Sequence, residues 1–145
     1  MSKNLDLFNQ QTAEIFAMLW ENFPVPQMIK YEKFNAALPD DYFDQLNSPE
    51  MKALDQLRSV VEGTFTFLGE NRYIHYKTNH QSHFGDVRLT EKALVVLNKK
   101  PEALNSNETM GDKIIDAVKD GKPAVITGAV TNLLTLGLNL ATTSI

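Results

Sequence analysis

The chain has no cysteine. That excludes disulfides, thiolate nucleophiles and metal sites built from Cys pairs. Its seven glycines are scattered, and none of G-x-G-x-x-G, G-x-x-x-x-G-K, G-x-S-x-G or H-E-x-x-H occurs. The serines lack a nucleophile context, and paired carboxylates without geometry carry no reaction. The residues therefore predict no catalytic group, no cofactor and no small-molecule substrate. The opening MSKNLDLFNQQ has no apolar run behind a basic start. No secretory signal is expected, and cytoplasmic is the default location.

Positive charge is also short. Fourteen basic residues face eighteen acidic ones, a net of −4. Met1 to Glu50 holds three lysines against eight acids, and the remainder holds eleven basic residues against ten acids. An acidic total disfavours nucleic-acid binding unless cations segregate to one face.

What is present begins with a helix over Asn4 to Asn22. Leu5, Phe8, Ile15, Phe16, Leu19 and Phe23 share a face, and Pro24 and Pro26 stop it. Trp20 reads as a partly buried packing residue. Val25 to Phe34 is open between an extended entry, a short third strand, and a helical turn. Pro39 starts a short helix to about Leu46, with Asp40, Asp41 and Asp44 as its solvated acidic start rather than a metal site. Ser48 and Pro49 cap a long helix from Glu50 toward Leu68, apolar at Met51, Leu54, Val61, Phe65 and Leu68.

Arg72 to Thr78 reads as a strand, with Ile74 and Tyr76 on one face and Tyr73, His75 and Lys77 on the other. Asn79 to Ser82 is a polar loop. Phe84 to Leu89 is a second strand, and Thr90 caps a helix carrying Ala93, Leu94 and Leu97. His75, His80 and His83 are the only histidines and fall within nine residues. With Asp86 they would make a four-ligand set for a divalent metal, but the spacing matches no structural zinc pattern, so the expectation is no metal. A wing that gains positive charge on acidification is the other reading of the trio.

The run T-F-T-F-L-G-E-N-R-Y-I-H-Y followed by V-R-L-T-E-K-A-L-V-V-L-N resembles the wing region of winged-helix domains, with Ala93 where glycine is common. Together with Pro101, Gly111 and Asp112 in the tail, it is similar to uncharacterised bacterial winged-helix proteins. The resemblance implies an α+β, mostly helical fold. Its core would be three helices with a two- to three-stranded antiparallel sheet over residues 4–100. It also implies that the long helix from Glu50 toward Leu68 stands where DNA is read. The DNA or anion contacts would then be Lys52, Gln56 and Arg58 on that helix, and Arg72, Lys77 and Arg88 around the wing.

Residues 101–108 read as a linker. Thr109 and Asp112 form a capping box, and residues 109–141 form a helical hairpin or oligomerisation segment, divided at Gly121 and Pro123. No residue from Pro123 to Ile145 is charged. That length would nominate a membrane span. The polar stripe Thr127, Thr131, Thr135 and Asn139 argues instead for a helix packed on the domain or on a partner copy. Its contact residues would be Ile126, Val130, Leu133, Leu134 and Leu138.

The favoured expectation is a non-enzymatic binding module that meets itself or another protein. DNA-binding regulation is the alternative. Peripheral membrane contact through the uncharged helix is the further one, with only Lys119 and Lys122 at the junction.

Overall fold

The computed structural model describes residues 3–100 and 107–143. α1 (Lys3–Asn22) buries Thr12, Ile15, Phe16 and Leu19 along its middle turns. It ends before Pro24, whose ring cannot continue a helix. Leu5 and Phe23, expected on the same face, lie at or beyond the helix ends and stay exposed.

The ambiguous stretch after the prolines is extended and then helical, in succession. β1 (Gln27–Lys30) buries Ile29, and a 3-10 turn, Tyr31–Phe34, follows directly. The helix expected from Pro39 to Leu46 shrinks to one 3-10 turn, Tyr42–Gln45, none of whose residues is buried. With nothing to pack, so short a segment cannot offset the cost of nucleating an α-helix.

α2 (Pro49–Glu70) begins as the sequence predicts. The Ser48 hydroxyl accepts from the Met51 N–H at 3.2 Å, and Pro49 occupies the first turn. The helix runs unbroken through Gly63, carried by the burial of Met51, Val61, Phe65 and Leu68.

β2 (Ile74–His75), β3 (Thr78–Asn79) and β4 (His83–Leu89) complete a small antiparallel sheet in the order β1-β4-β2, with β3 also pairing β4. The continuous strand expected over Arg72 to Thr78 is therefore broken. Arg72 sits at φ 63°, so pairing starts only at Ile74 and alternation does not govern Tyr73. Tyr73 points inward, its ring edge-on to Phe16 at 5.8 Å. α3 (Glu91–Leu97) is capped by Thr90, which accepts from the Ala93 N–H at 3.2 Å.

α4 (Met110–Asp120) carries the expected reciprocal cap between Thr109 and Asp112, and Gly121 closes it at φ 72°. α5 (Pro123–Thr143) follows. Residues 101–106 of the expected linker lie outside the described residues. The two C-terminal helices do not form a separate layer. Met110, Ile114, Ala117, Ile126, Val130 and Leu133 belong to the same core as Phe16 and Leu19 of α1. The described residues thus form an α+β, mostly helical fold, with five α-helices and a four-stranded antiparallel sheet.

Aromatic rings fill the space between α2 and the sheet. Phe65 stacks on Phe84 with centroids 3.8 Å apart and planes within 4° of parallel. Tyr31 and Tyr76 flank Phe84 at 5.6 and 5.2 Å.

Burial holds the Tyr31 and Tyr73 hydroxyls above their ordinary range, and the Glu62 carboxylate adds to this at Tyr31. The unfolded chain therefore gives up these phenolic protons first. The stability they confer is intact below about pH 10 and is lost as pH rises through the higher folded values. Lys92 is lowered by desolvation and then by Arg72, which favours the folded state as pH rises toward the ordinary lysine value. One partly exposed amine opposes two buried phenols, so a net loss is expected. Thermal melts from about pH 9 to 11 should show Tm falling as tyrosinate absorbance appears. A Tm that stays level through that absorbance change would contradict the packing described for these two rings.

Candidate interaction surfaces

The residues expected to contact DNA do not converge. Lys52 and Gln56 are exposed on the first half of α2, and the Gln56 amide lies 3.5 Å from the Asn4 side-chain oxygen. Arg72 follows the other end of that helix. At 1.5 Å rise per residue, it lies roughly 30 Å from Lys52. Lys77 and Arg88 are exposed on the sheet side, with Arg88 opposite His75 in the β2–β4 ladder.

Arg58 turns inward. Its guanidinium donates to the Ala36 carbonyl at 2.6 Å and the Gln81 carbonyl at 2.5 Å. It also lies 4.0 Å over the Tyr31 ring. This arginine ties α2 to the loop after the Tyr31–Phe34 turn and to the β3–β4 turn, which commits two of its five donors to the fold. Arg72 and Lys92 share a cleft with Glu70, Asn71, Glu91, Val95 and Leu140. The Lys92 ammonium donates to the Asn71 carbonyl at 3.0 Å and sits 4.4 Å from the Tyr73 ring centre.

The histidines divide. His80 and His83 face each other across the β3–β4 turn with ring centroids 4.8 Å apart. The Ser82 hydroxyl lies 2.8 Å from His83 Nδ1. His75 lies on β2 and does not join them. Among the described residues, no three His, Asp or Glu side chains are grouped so as to hold a metal.

The turn Tyr42–Gln45 shows what the sequence reading missed. Phe43 is 75% exposed, the largest value among the large apolar residues described, and Leu46 is 47% exposed. The turn is anchored. The Tyr42 hydroxyl donates to Asp55 of α2 at 3.1 Å, and that hydrogen bond holds the phenol above its usual pKa range. The Gln45 amide donates to the Asp41 carboxylate, and the Ser48 N–H donates to the Gln45 carbonyl at 2.9 Å. The signal available in sequence was an aromatic pair flanked by acids, with Leu46 as the one further large apolar residue before Ser48.

α5 packs one side on the core, with Ala129, Leu134, Leu136 and Leu140 partly buried at its edges. Ile126, Val130 and Leu133 are fully covered, Leu134 is half-buried and Leu138 is 68% exposed. Of the five expected contact residues, four therefore face the domain, Leu134 packing against the core from its edge. Only 22% of the apolar stretch Pro123–Leu140 is buried, although this is the one helix among those described that is long and apolar enough to cross a membrane. Its outward line runs through Ala124, Gly128, Thr131, Asn132 and Thr135, all exposed and all uncharged. The polar stripe that suggested burial on most sides lies largely on this open surface. Two glycines on α5 differ in kind. A Cβ on Gly137 would stand 1.9 Å from the Tyr73 hydroxyl oxygen, whereas one on Gly128 would meet nothing within 4 Å. No family model, curated protein or solved structure matches the chain.

Proposed function

We propose that the chain is a non-enzymatic interaction module of the winged-helix type, which pairs with a second copy of itself through the outward face of α5. The winged-helix reading is supported by the strand order β1-β4-β2 and by α2 lying between the first strand and the wing pair. The element that departs from the pattern is the second helix, reduced to the turn Tyr42–Gln45. The observation that carries self-association is the uncharged, uncovered side of α5. Solvated helix faces ordinarily carry charge. This one carries none over 21 residues, in a chain with a net charge of −4. Two copies can meet there without opposing like charges, which is not true of their acidic surfaces.

The DNA reading draws on the exposed Lys77 and Arg88. It is weakened by the inward turn of Arg58 and by Asp55, Glu62 and Glu70 on the open side of α2. Phosphates approaching that side would meet carboxylates.

Sedimentation equilibrium tests the proposal. The wild-type chain is expected to be a dimer at micromolar concentration. Gly128→Arg should be a folded monomer, since a Cβ at this position meets nothing within 4 Å of its own chain and arginine favours helix over glycine. A monomeric wild type would overturn self-association. A Gly128→Arg dimer would overturn α5 as the face that mediates it.

A further inference from the structure

Separately from α5, we infer that the segment Asp40–Leu46 and the first turns of α2 form a docking surface for a basic segment of another protein. The segment would carry apolar side chains at helical spacing. Charge is the first argument. Residues 36–56 hold five acids, Asp40, Asp41, Asp44, Glu50 and Asp55, against the single Lys52. Their net of −4 equals that of the entire chain, so the other residues balance at thirteen of each sign. One connected turn and helix start therefore carries as much net negative charge as the whole chain.

Exposed apolar anchors stand within this charge. Phe43 and Leu46 are three residues apart at a 3-10 turn, where positions i and i+3 eclipse. Both are exposed, Phe43 to three-quarters of its surface. An aromatic group held in water at that exposure, with Asp41 and Asp44 beside it in the chain, fits an interface whose centre is apolar and whose rim is charged. The turn is also fixed before any partner arrives. Tyr42 is bonded to Asp55 and stands edge-on to Phe43 at 5.3 Å, and Gln45 is bonded to Asp41. Ordering cost on binding is correspondingly small.

These features select the partner. Phosphate-bearing ligands would meet five carboxylates against one lysine, and the acids do not group to hold a metal among the described residues. A second copy would bring the same −4 face. Lysine or arginine around Leu- or Phe-type anchors satisfies both the charge and the apolar pair, and a short amphipathic helix presents both on one face.

The probe is a short synthetic Lys/Leu amphipathic peptide titrated into the full chain by fluorescence anisotropy, at low and then moderate salt. Binding that weakens with salt is expected. Phe43→Ser should weaken it about tenfold while the Trp20 emission stays that of the folded chain. Asp41→Asn with Asp44→Asn should flatten the salt dependence. A Glu/Leu peptide of the same pattern should not bind. Unchanged affinity in Phe43→Ser would reduce the effect to adsorption on charge and overturn the proposal. Equal binding of the Glu/Leu peptide, or no binding of the Lys/Leu peptide at low salt, would also overturn it. The Gly128→Arg chain should bind the peptide as wild type does, so failure at this surface and failure of α5 pairing are read apart.

Discussion

Phe84→Ala is expected to lower unfolding stability by about 3–5 kcal/mol, the range for removing a buried aromatic ring from a packed core. Phe84 is 1% exposed and, like Phe65, meets three other rings. Phe65 lies flat on one side of it, and Tyr31 and Tyr76 stand around it. Deleting it removes transfer free energy, opens a cavity between α2 and the sheet, and forfeits ring–ring contacts worth about 0.5–1.5 kcal/mol each beyond their area. Domains of ordinary size have only about 5–15 kcal/mol in total. The variant should therefore be partly unfolded at physiological temperature. Urea unfolding followed by far-UV circular dichroism reads the loss as a shift in midpoint. Phe65→Ala should cost a similar amount, and the double variant less than the sum, because each removes the partner of the other. A Phe84→Ala loss below about 1 kcal/mol would mean that the stacked rings are not the centre of this half of the core.

Much of this was legible in the residues, and the reason is local. Ser48-Pro49, Thr90 and the Thr109–Asp112 pair cap helices because their side chains meet backbone N–H groups within three residues, a relation that sequence displays directly. The apolar lines of α1 and α2 were equally visible as spacing. Long-range facts were not. Tyr73 alternates with Ile74 on paper, and only the left-handed Arg72 beside it, with α5 lying across it, turns it inward. Arg58 reads as a free cation on an exposed helix face. Its partners are the carbonyls of Ala36 and Gln81, 22 and 23 residues away, and no pattern in the chain announces a carbonyl pair. Phe43 was missed for the opposite reason. Its exposure comes from a helix that fails to form, and acids at the start of a segment ordinarily favour one.

The two glycines of α5 should respond to alanine with opposite sign. Alanine favours helix over glycine by about 1 kcal/mol. At Gly128, where an added methyl meets nothing within 4 Å in its own chain, that gain should appear as a raised Tm at concentrations low enough to keep the chain monomeric. At Gly137 the methyl would fall 1.9 Å from the Tyr73 hydroxyl oxygen and 2.8 Å from its ring carbon. The ring has little room to retreat, with Phe16 edge-on at 5.8 Å and the Lys92 ammonium 4.4 Å from its centre. Gly137→Ala should therefore lose about 1–3 kcal/mol, the range for overpacking a filled site. It should also lever the C-terminal half of α5 from the domain. The cause can be isolated. In a Tyr73→Ala background the obstacle is gone, and Gly137→Ala should become neutral or stabilising. The two changes should then show a coupling of about 2 kcal/mol in a double-mutant cycle. Independent, additive effects would mean that α5 does not cross the domain with Gly137 over Tyr73. The outward line through Gly128 would then be drawn on the wrong side of the helix. A measured coupling would fix the rotation of α5, and with it which residues are left for a second copy to meet.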